Sequence, residues 1–169
     1  MLSVALASFA LGAWQPRQPY LLEGEQDARG NTFSGLYDPT ANAYVDTVQV
    51  VFSTNEVYEG GLEDNRFNGY GILKGETTVD DETFAWRFEG TFVDGRLEGE
   101  GSYLDNLGSY VGMFSNSLPN GQGVYRSNNG WRYEGEFLAG MMTGRGTVFL
   151  ADGTSASGLF EDGMQVSTG

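Results

Sequence analysis

The stretch YEGEFLAGMMTGRG, Tyr133 to Gly146, sets glycines at 135, 140, 144 and 146 among aromatic and apolar residues. Such a run can cradle a phosphate when its backbone N–H groups converge on the anion. Carboxylates offer the other chemistry, since 23 acidic residues stand against 9 basic ones, a formal charge of −14. Histidine and cysteine are both missing from the chain. Without histidine the commonest general base and metal ligand is lost, and a Ser-His-Asp triad is excluded. Without cysteine there are no disulfides, thiolate nucleophiles or cysteine-ligated zinc. A Ser-Lys dyad would rest on Lys74, the sole lysine. An enzyme built from this chain would have to work with paired carboxylates.

The elements that carry these residues repeat. Counting from Tyr133 as offset 0, the motif has aromatics at 0 and 4 and glycines at 2, 7, 11 and 13. Phe88, Gly90, Phe92, Gly95, Gly99, Gly101 and Tyr103 reproduce it, as do Tyr110, Gly112, Phe114, Gly121, Gly123 and Tyr125. Tyr58, Gly60, Leu62, Gly69, Gly71 and Leu73 follow with one aromatic exchanged. Fragments at Phe33 and Ala156 extend the array, and ETTVDDETFA (76–85) reads as a lengthened hairpin with Asp80-Asp81 near its tip. The glycines are thus one row of a repeat, and the nucleotide reading falls.

Glycine at 26 of 169 residues is about twice the usual ~7% and, with abundant aromatics, points to turn-rich β structure. Offsets 0, 2 and 4 share one face of a strand as ring, gap, ring. Offsets 11, 13 and 15 do the same on a second strand as gap, gap, apolar side chain. Asn106-Leu107-Gly108, Asn128-Asn129-Gly130 and Asp152-Gly153 separate the units. The expected fold is all-β: an elongated, single-layer antiparallel sheet of consecutive hairpins, an open meander of ten or so strands and ~45 Å.

These units resemble MORN repeats (membrane occupation and recognition nexus), whose pattern is Tyr-x-Gly-x-Phe-x-x-Gly-x-x-x-Gly-x-Gly. The resemblance covers about 58–163 well, and 33–57 less closely. It implies a twisted sheet with an aromatic-lined groove, and scaffold, dimerisation or peptide-binding roles without a catalytic activity of the repeats. The family name promises membranes. A charge of −14 argues against binding of anionic lipid by the repeats, and against nucleic acid, since the nine basic residues are scattered in sequence.

Glu59, Glu89 and Glu134 share offset 1 on the face opposite the rings, with Arg87 and Arg132 beside them at offset −1. Equivalent positions lie ~9–10 Å apart, too far for one calcium ion. A solvated acidic face without metal or cofactor is expected. Nothing marks two acids as convergent at the ~5–9.5 Å that glycoside hydrolysis needs, so the chain reads as a non-enzyme. Phe88, Phe92, Tyr110, Phe114, Tyr133 and Phe137 form the ring row, as core and as the floor of a partner groove. Trp86 and Trp131, both at offset −2, suit its rim. Val111, Met113 and Val124 are apolar on the opposite face, a second interface covered by the N-terminal segment, covered by another chain, or bare.

The chain divides into an apolar segment and linker, 1–32, and a repeat domain, 33–169. Met1–Trp14 is apolar apart from two serines, shorter than the ~20 residues of a membrane span, and is followed by Pro16 and Pro19. It reads as the outer end of an anchor, a degenerate signal, or a helix packing on the domain. A membrane-anchored or extracytoplasmic setting is favoured over a cytoplasmic one. The expected function is a protein-protein interaction or scaffold module holding a peptide or helix along the groove. The alternative is a self-associating subunit of a larger, membrane-bound assembly.

Overall fold

The computed structural model describes residues 18–168. They form one antiparallel sheet of thirteen strands in which each strand pairs with its neighbours in sequence. After β1 (Tyr20–Gln26) come the hairpins β2 (Thr32–Asp38)–β3 (Ala43–Val51), β4 (Val57–Glu63)–β5 (Arg66–Val79) and β6 (Glu82–Val93)–β7 (Arg96–Leu104). The pairs β8 (Gly108–Ser115)–β9 (Leu118–Ser127), β10 (Arg132–Leu138)–β11 (Met141–Phe149) and β12 (Ser155–Glu161)–β13 (Met164–Thr168) follow. This is the all-β open meander that the repeat spacing predicts. The sheet starts ahead of Phe33, because β1 pairs with β2 from Tyr20↔Tyr37 to Gln26↔Thr32. The stretch 1–15, with its anchor, signal and packing-helix readings, lies outside the described residues.

Two-residue turns close the hairpins from β4 to β13, whereas residues 39–42 join β2 to β3. Asp64-Asn65, Asp94-Gly95, Asn116-Ser117, Ala139-Gly140 and Asp162-Gly163 have positive φ at both positions, the type I′ geometry that suits strand twist. The offset-7 residue is the second turn residue, a place that Asn65 and Ser117 also fill. The insert obeys the same rule, with Asp80 (φ 51°) and Asp81 (φ 65°) between prolonged β5 and β6.

Each repeat hairpin slips register just past its paired glycines: between Gly60 and Leu62, Gly90 and Phe92, Gly112 and Phe114, and Gly135 and Glu136. The surplus on the second strand includes Gly69, Gly99, Gly121 and Gly144, at φ 76°, 74°, 108° and 55°. This corrects the expectation that offset 11 is a gap on the ring face. A Cβ on Gly69 or Gly99 would meet nothing within 4 Å. Glycine stands there because the bulge needs a left-handed backbone.

Offsets 2 and 13 have the other role. Gly60, Gly71, Gly90, Gly101, Gly112, Gly123, Gly135, Gly146 and Gly158 pair in succession, one level across nine strands. Tyrosine rings lie over this bare row. A Cβ on Gly71 would come 2.6 Å from Tyr58 Oη, and one on Gly135 2.5 Å from Tyr133 Oη. Each hydroxyl donates to the carbonyl three residues on: Tyr58 to Gly61 (3.0 Å), Tyr110 to Met113 (2.9 Å) and Tyr133 to Glu136 (3.2 Å). In the second repeat Phe88 has no hydroxyl, and the buried Leu97 fills the slot over Gly90 and Gly101 instead.

Phenylalanines at offset 4 join repeat to repeat. Phe92 stands edge-on to Tyr58 at 5.4 Å between centroids, Phe137 to Tyr110 at 4.8 Å and Phe160 to Tyr133 at 4.8 Å. The core is therefore one layer of rings lying on their own sheet.

The two kinds of glycine should respond differently to substitution. A Cβ on Gly135 would meet Arg145 O and Gly146 Cα at 2.7 Å, and main chain cannot step aside cheaply. Gly135→Val is expected to cost ~1–3 kcal/mol by overpacking. Gly99→Asn should cost about 1 kcal/mol or less, because asparagine tolerates φ > 0. Urea unfolding of both variants checks this; equal losses would contradict the division of roles.

Candidate interaction surfaces

Most of the ring row predicted as a site is interior. Phe92, Tyr110, Phe114, Tyr133 and Phe137 are buried, as is Tyr58. Phe88 remains half-buried, 4.5 Å from Tyr103 between centroids. Trp86 lies in β6 over Gly75, its partner across the β5–β6 ladder, and near Phe88. Trp131 precedes β10, with its ring 5.2 Å from Tyr125. The two tryptophans share an offset but not a neighbourhood, since four strand spacings separate β6 from β10, about 19 Å. Sequence reading missed Tyr103 and Tyr125 as companions of this half-buried strip. Their offset, 15, is the cross-strand partner of offset 0, as in Phe88↔Tyr103 and Tyr110↔Tyr125.

The opposite face is organised in rows across the strands. One runs Glu59, Ile72, Glu89, Ser102, Val111, Val124, Glu134, Thr147. Beside it run Lys74, Arg87, Leu104, Ser109, Arg126, Arg132 and Phe149. The basic residues scattered along the sequence are thus partly aligned by the sheet, four of the nine in one row. Three are neutralised: Lys74 by Glu59 (3.2 Å), Arg87 by Glu89 (2.8 Å) and Arg132 by Glu134 (2.8 Å). Tyr70 donates to Glu89 as well. Among the described residues no group of three or more His, Cys, Asp or Glu is placed to hold a metal.

Val111 is 54% and Met113 38% exposed, with Val124 half-buried beside them. Residues 18–32 do not cover this patch, for β1 runs along the edge of β2. Further along the same face lies a hollow of about 670 Å³ among Glu134, Arg145, Thr147, Ser157 and Leu159. A smaller one of about 270 Å³ lies between Arg126, Trp131, Arg132 and Phe149. No helix among the described residues is long and apolar enough to cross a membrane.

The perturbed titrations belong mainly to the ring face. Burial pushes Tyr58 and Tyr110 up to about 12. Burial and then the hydrogen bond to Asp105 bring Tyr103 to about 12. Phenols whose folded-state pKa is raised stabilise the fold fully below their unfolded value near 10, and that contribution disappears as pH climbs through the folded value. Phenolate absorbance of these tyrosines should therefore appear together with loss of β circular dichroism between about pH 10 and 12. Complete ionisation with an intact β spectrum would contradict the burial.

A family model described as "MORN repeat" matches residues 58–77, 88–106, 110–132 and 133–155. Comparison with curated proteins yields no match. The four matched segments correspond to the hairpins from β4 to β11, each with glycines paired across its two strands. The flanking hairpins β2–β3 and β12–β13 continue the same meander beyond the match. Paired glycines, I′ turns, bulges and the family match coincide, and the chain belongs to the MORN-repeat family.

Proposed function

We propose that this chain is a non-catalytic interaction module that holds a segment of a partner protein against the half-buried aromatic strip of its ring face. MORN repeats are generally modules of protein and membrane interaction. The observation that carries the reading is the strip itself: Trp86, Phe88, Tyr103, Tyr125 and Trp131 are partly accessible beside a ring core that is closed. Partly exposed tryptophan and tyrosine supply large contact area at small entropic cost, which is why they dominate partner sites. The buried rings Phe92, Tyr110, Phe114, Tyr133 and Phe137 act as the rigid floor beneath the segment rather than as contacts. If the apolar N-terminal stretch is an anchor or a signal rather than a helix packed on the domain, the module sits in a membrane-anchored or extracytoplasmic setting.

The full chain used as bait should capture a partner whose binding peptide shifts tryptophan emission saturably in a Trp14→Phe background. Replacing Trp86 and Trp131 with alanine should weaken that peptide about thirtyfold by calorimetry, a loss of ~2 kcal/mol for aromatic anchors. Unchanged affinity would remove the strip from the account.

The exposed Val111 and Met113, with the half-buried Val124 beside them, favour a second reading, a subunit that self-associates through the opposite face. Met113→Glu separates the cases by sedimentation and thermal melting. A self-associated form should dissociate, because an unpaired carboxylate resists burial. Loss of stability at constant mass would indicate cover by the chain's own N-terminal segment. Constant mass with a melt changed by no more than ~0.5 kcal/mol would leave the patch bare.

A further inference from the structure

We infer that the face opposite the rings carries a receptor for a carboxylate side chain of a partner peptide, centred on Arg126. The molecule contains the template for the missing piece. Lys74 stands at offset 16 of the first repeat and pairs with Glu59 at offset 1 of the same repeat, 3.2 Å away. Arg126 stands at offset 16 of the third repeat, and the residue at offset 1 there is Val111. The ladders place the two pairs alike: Lys74 opposite Val57 with Glu59 two residues on, Arg126 opposite Ser109 with Val111 two residues on. Where the first repeat supplies an acid, the third supplies a valine that is 54% exposed.

The surroundings leave the exposed Arg126 beside a second cation. Arg126 is directly opposite Arg132 on the β9–β10 ladder, and like charges so placed repel. Arg132 is already committed, with Nε donating to Glu134 Oε1 at 2.8 Å and its guanidinium 3.8 Å from the centroid of Phe149. Arg126 has no ion pair among the described residues. The hollow of about 270 Å³ opens on the Arg132 side of Arg126, bordered by Trp131, Phe149 and Leu150, and Val111 lies on the other side, in β8. Among the described residues Arg29, Arg96 and Arg145 also have no ion pair, but Arg126 alone of these faces another arginine across a ladder.

Charge and shape select the occupant. A carboxylate over Val111 would take the position that Glu59 has beside Lys74, and a planar guanidinium donates to its two oxygens in bidentate fashion. Val111 and Val124 lie alongside, so apolar residues flanking the acid find apolar partners. A doubly charged phosphate is less suited, with Glu134 next to Arg132 and a net charge of −14 behind it. The charged groups of the site, Arg126 and Arg132, lie on the opposite face from the aromatic strip, and the two surfaces meet only at Trp131, which borders the hollow.

Random peptides displayed on phage, selected against the full chain, test the inference. Enriched peptides that compete for this face should carry Asp or Glu flanked by apolar residues. Arg126→Gln should raise their Kd about tenfold or more, the worth of a charge-assisted hydrogen bond. Its thermal melt should be unchanged or higher, since the substitution removes a like-charge contact and no partner. Val111→Glu should fill the vacancy internally and weaken the same peptides while leaving the β spectrum intact. Selection of peptides without acidic enrichment, or of none, overturns the inference. So does a Kd indifferent to both substitutions. Binding of phosphatidylserine vesicles that depends on Arg126 would overturn it in favour of a lipid, and an oligomer that Arg126→Gln dissociates would do so in favour of a second copy. Trp86→Ala should leave these acidic peptides bound, which separates failure here from failure of the ring-face reading.

Discussion

A tyrosine ring lying over two glycines that face each other across a hairpin, with its hydroxyl donating to a carbonyl at the bulge, is the contact on which the rest of this molecule depends. A sheet ordinarily buries one face against a second layer. Here thirteen strands form one sheet and the described residues include no covering helix. The rings must serve as both side chain and cover, and they can do so only where the backbone below them has no Cβ. The hydroxyl then finds a main-chain acceptor, so a large polar-tipped ring is buried with no unpaired side-chain polar atom. The second repeat shows the rule by exception, since without the hydroxyl the ring moves aside and Leu97 covers the glycines.

This arrangement divides the two faces by function. Rings committed to the glycine row cannot also be generous contact surface, which is why the ring face offers only the half-buried strip at its margin. The opposite face is free of that duty and varies from repeat to repeat. Glutamates and their basic neighbours answer one another at Glu59, Glu89 and Glu134, whereas Val111 breaks the sequence and leaves Arg126 without a counterpart. Quasi-one-dimensional folds tolerate such local variation because each repeat contacts only its neighbours. Interaction chemistry can therefore differ along the sheet while the fold stays constant.

The fold was legible because its determinants are local and periodic. Alternation put rings and offset-2 glycines on one face, and the turn dipeptides marked the hairpin ends, even in the insert tipped by Asp80-Asp81. What alternation concealed was the bulge. It takes the glycine at offset 11 out of step, so Gly69 and Gly99 look like gaps in sequence and are conformational requirements in space. The sites were less legible for a related reason. Cross-strand rows pair offsets that sum to fifteen, as in Tyr58↔Leu73 and Val57↔Lys74, so neighbours on the sheet are far apart in sequence. Arg126 and Arg132 read as scattered charges until the β9–β10 register brings them face to face. The side on which Trp86 and Trp131 lie was readable, and so was their separation, because they belong to the second and fourth repeats.

Ring-over-glycine packing has a direct spectroscopic signature. Hα protons beneath the face of an aromatic ring are shielded, so a proton NMR assignment of the glycines reads the contact without perturbing it. The Hα resonances of Gly71, Gly123 and Gly146, under Tyr58, Tyr110 and Tyr133, are expected upfield of their ordinary positions. Gly90, covered by Leu97, and Gly69 and Gly99, covered by nothing, should not be shifted in that way. Indistinguishable shifts across these glycines would contradict the claim that tyrosine rings close the core of this sheet.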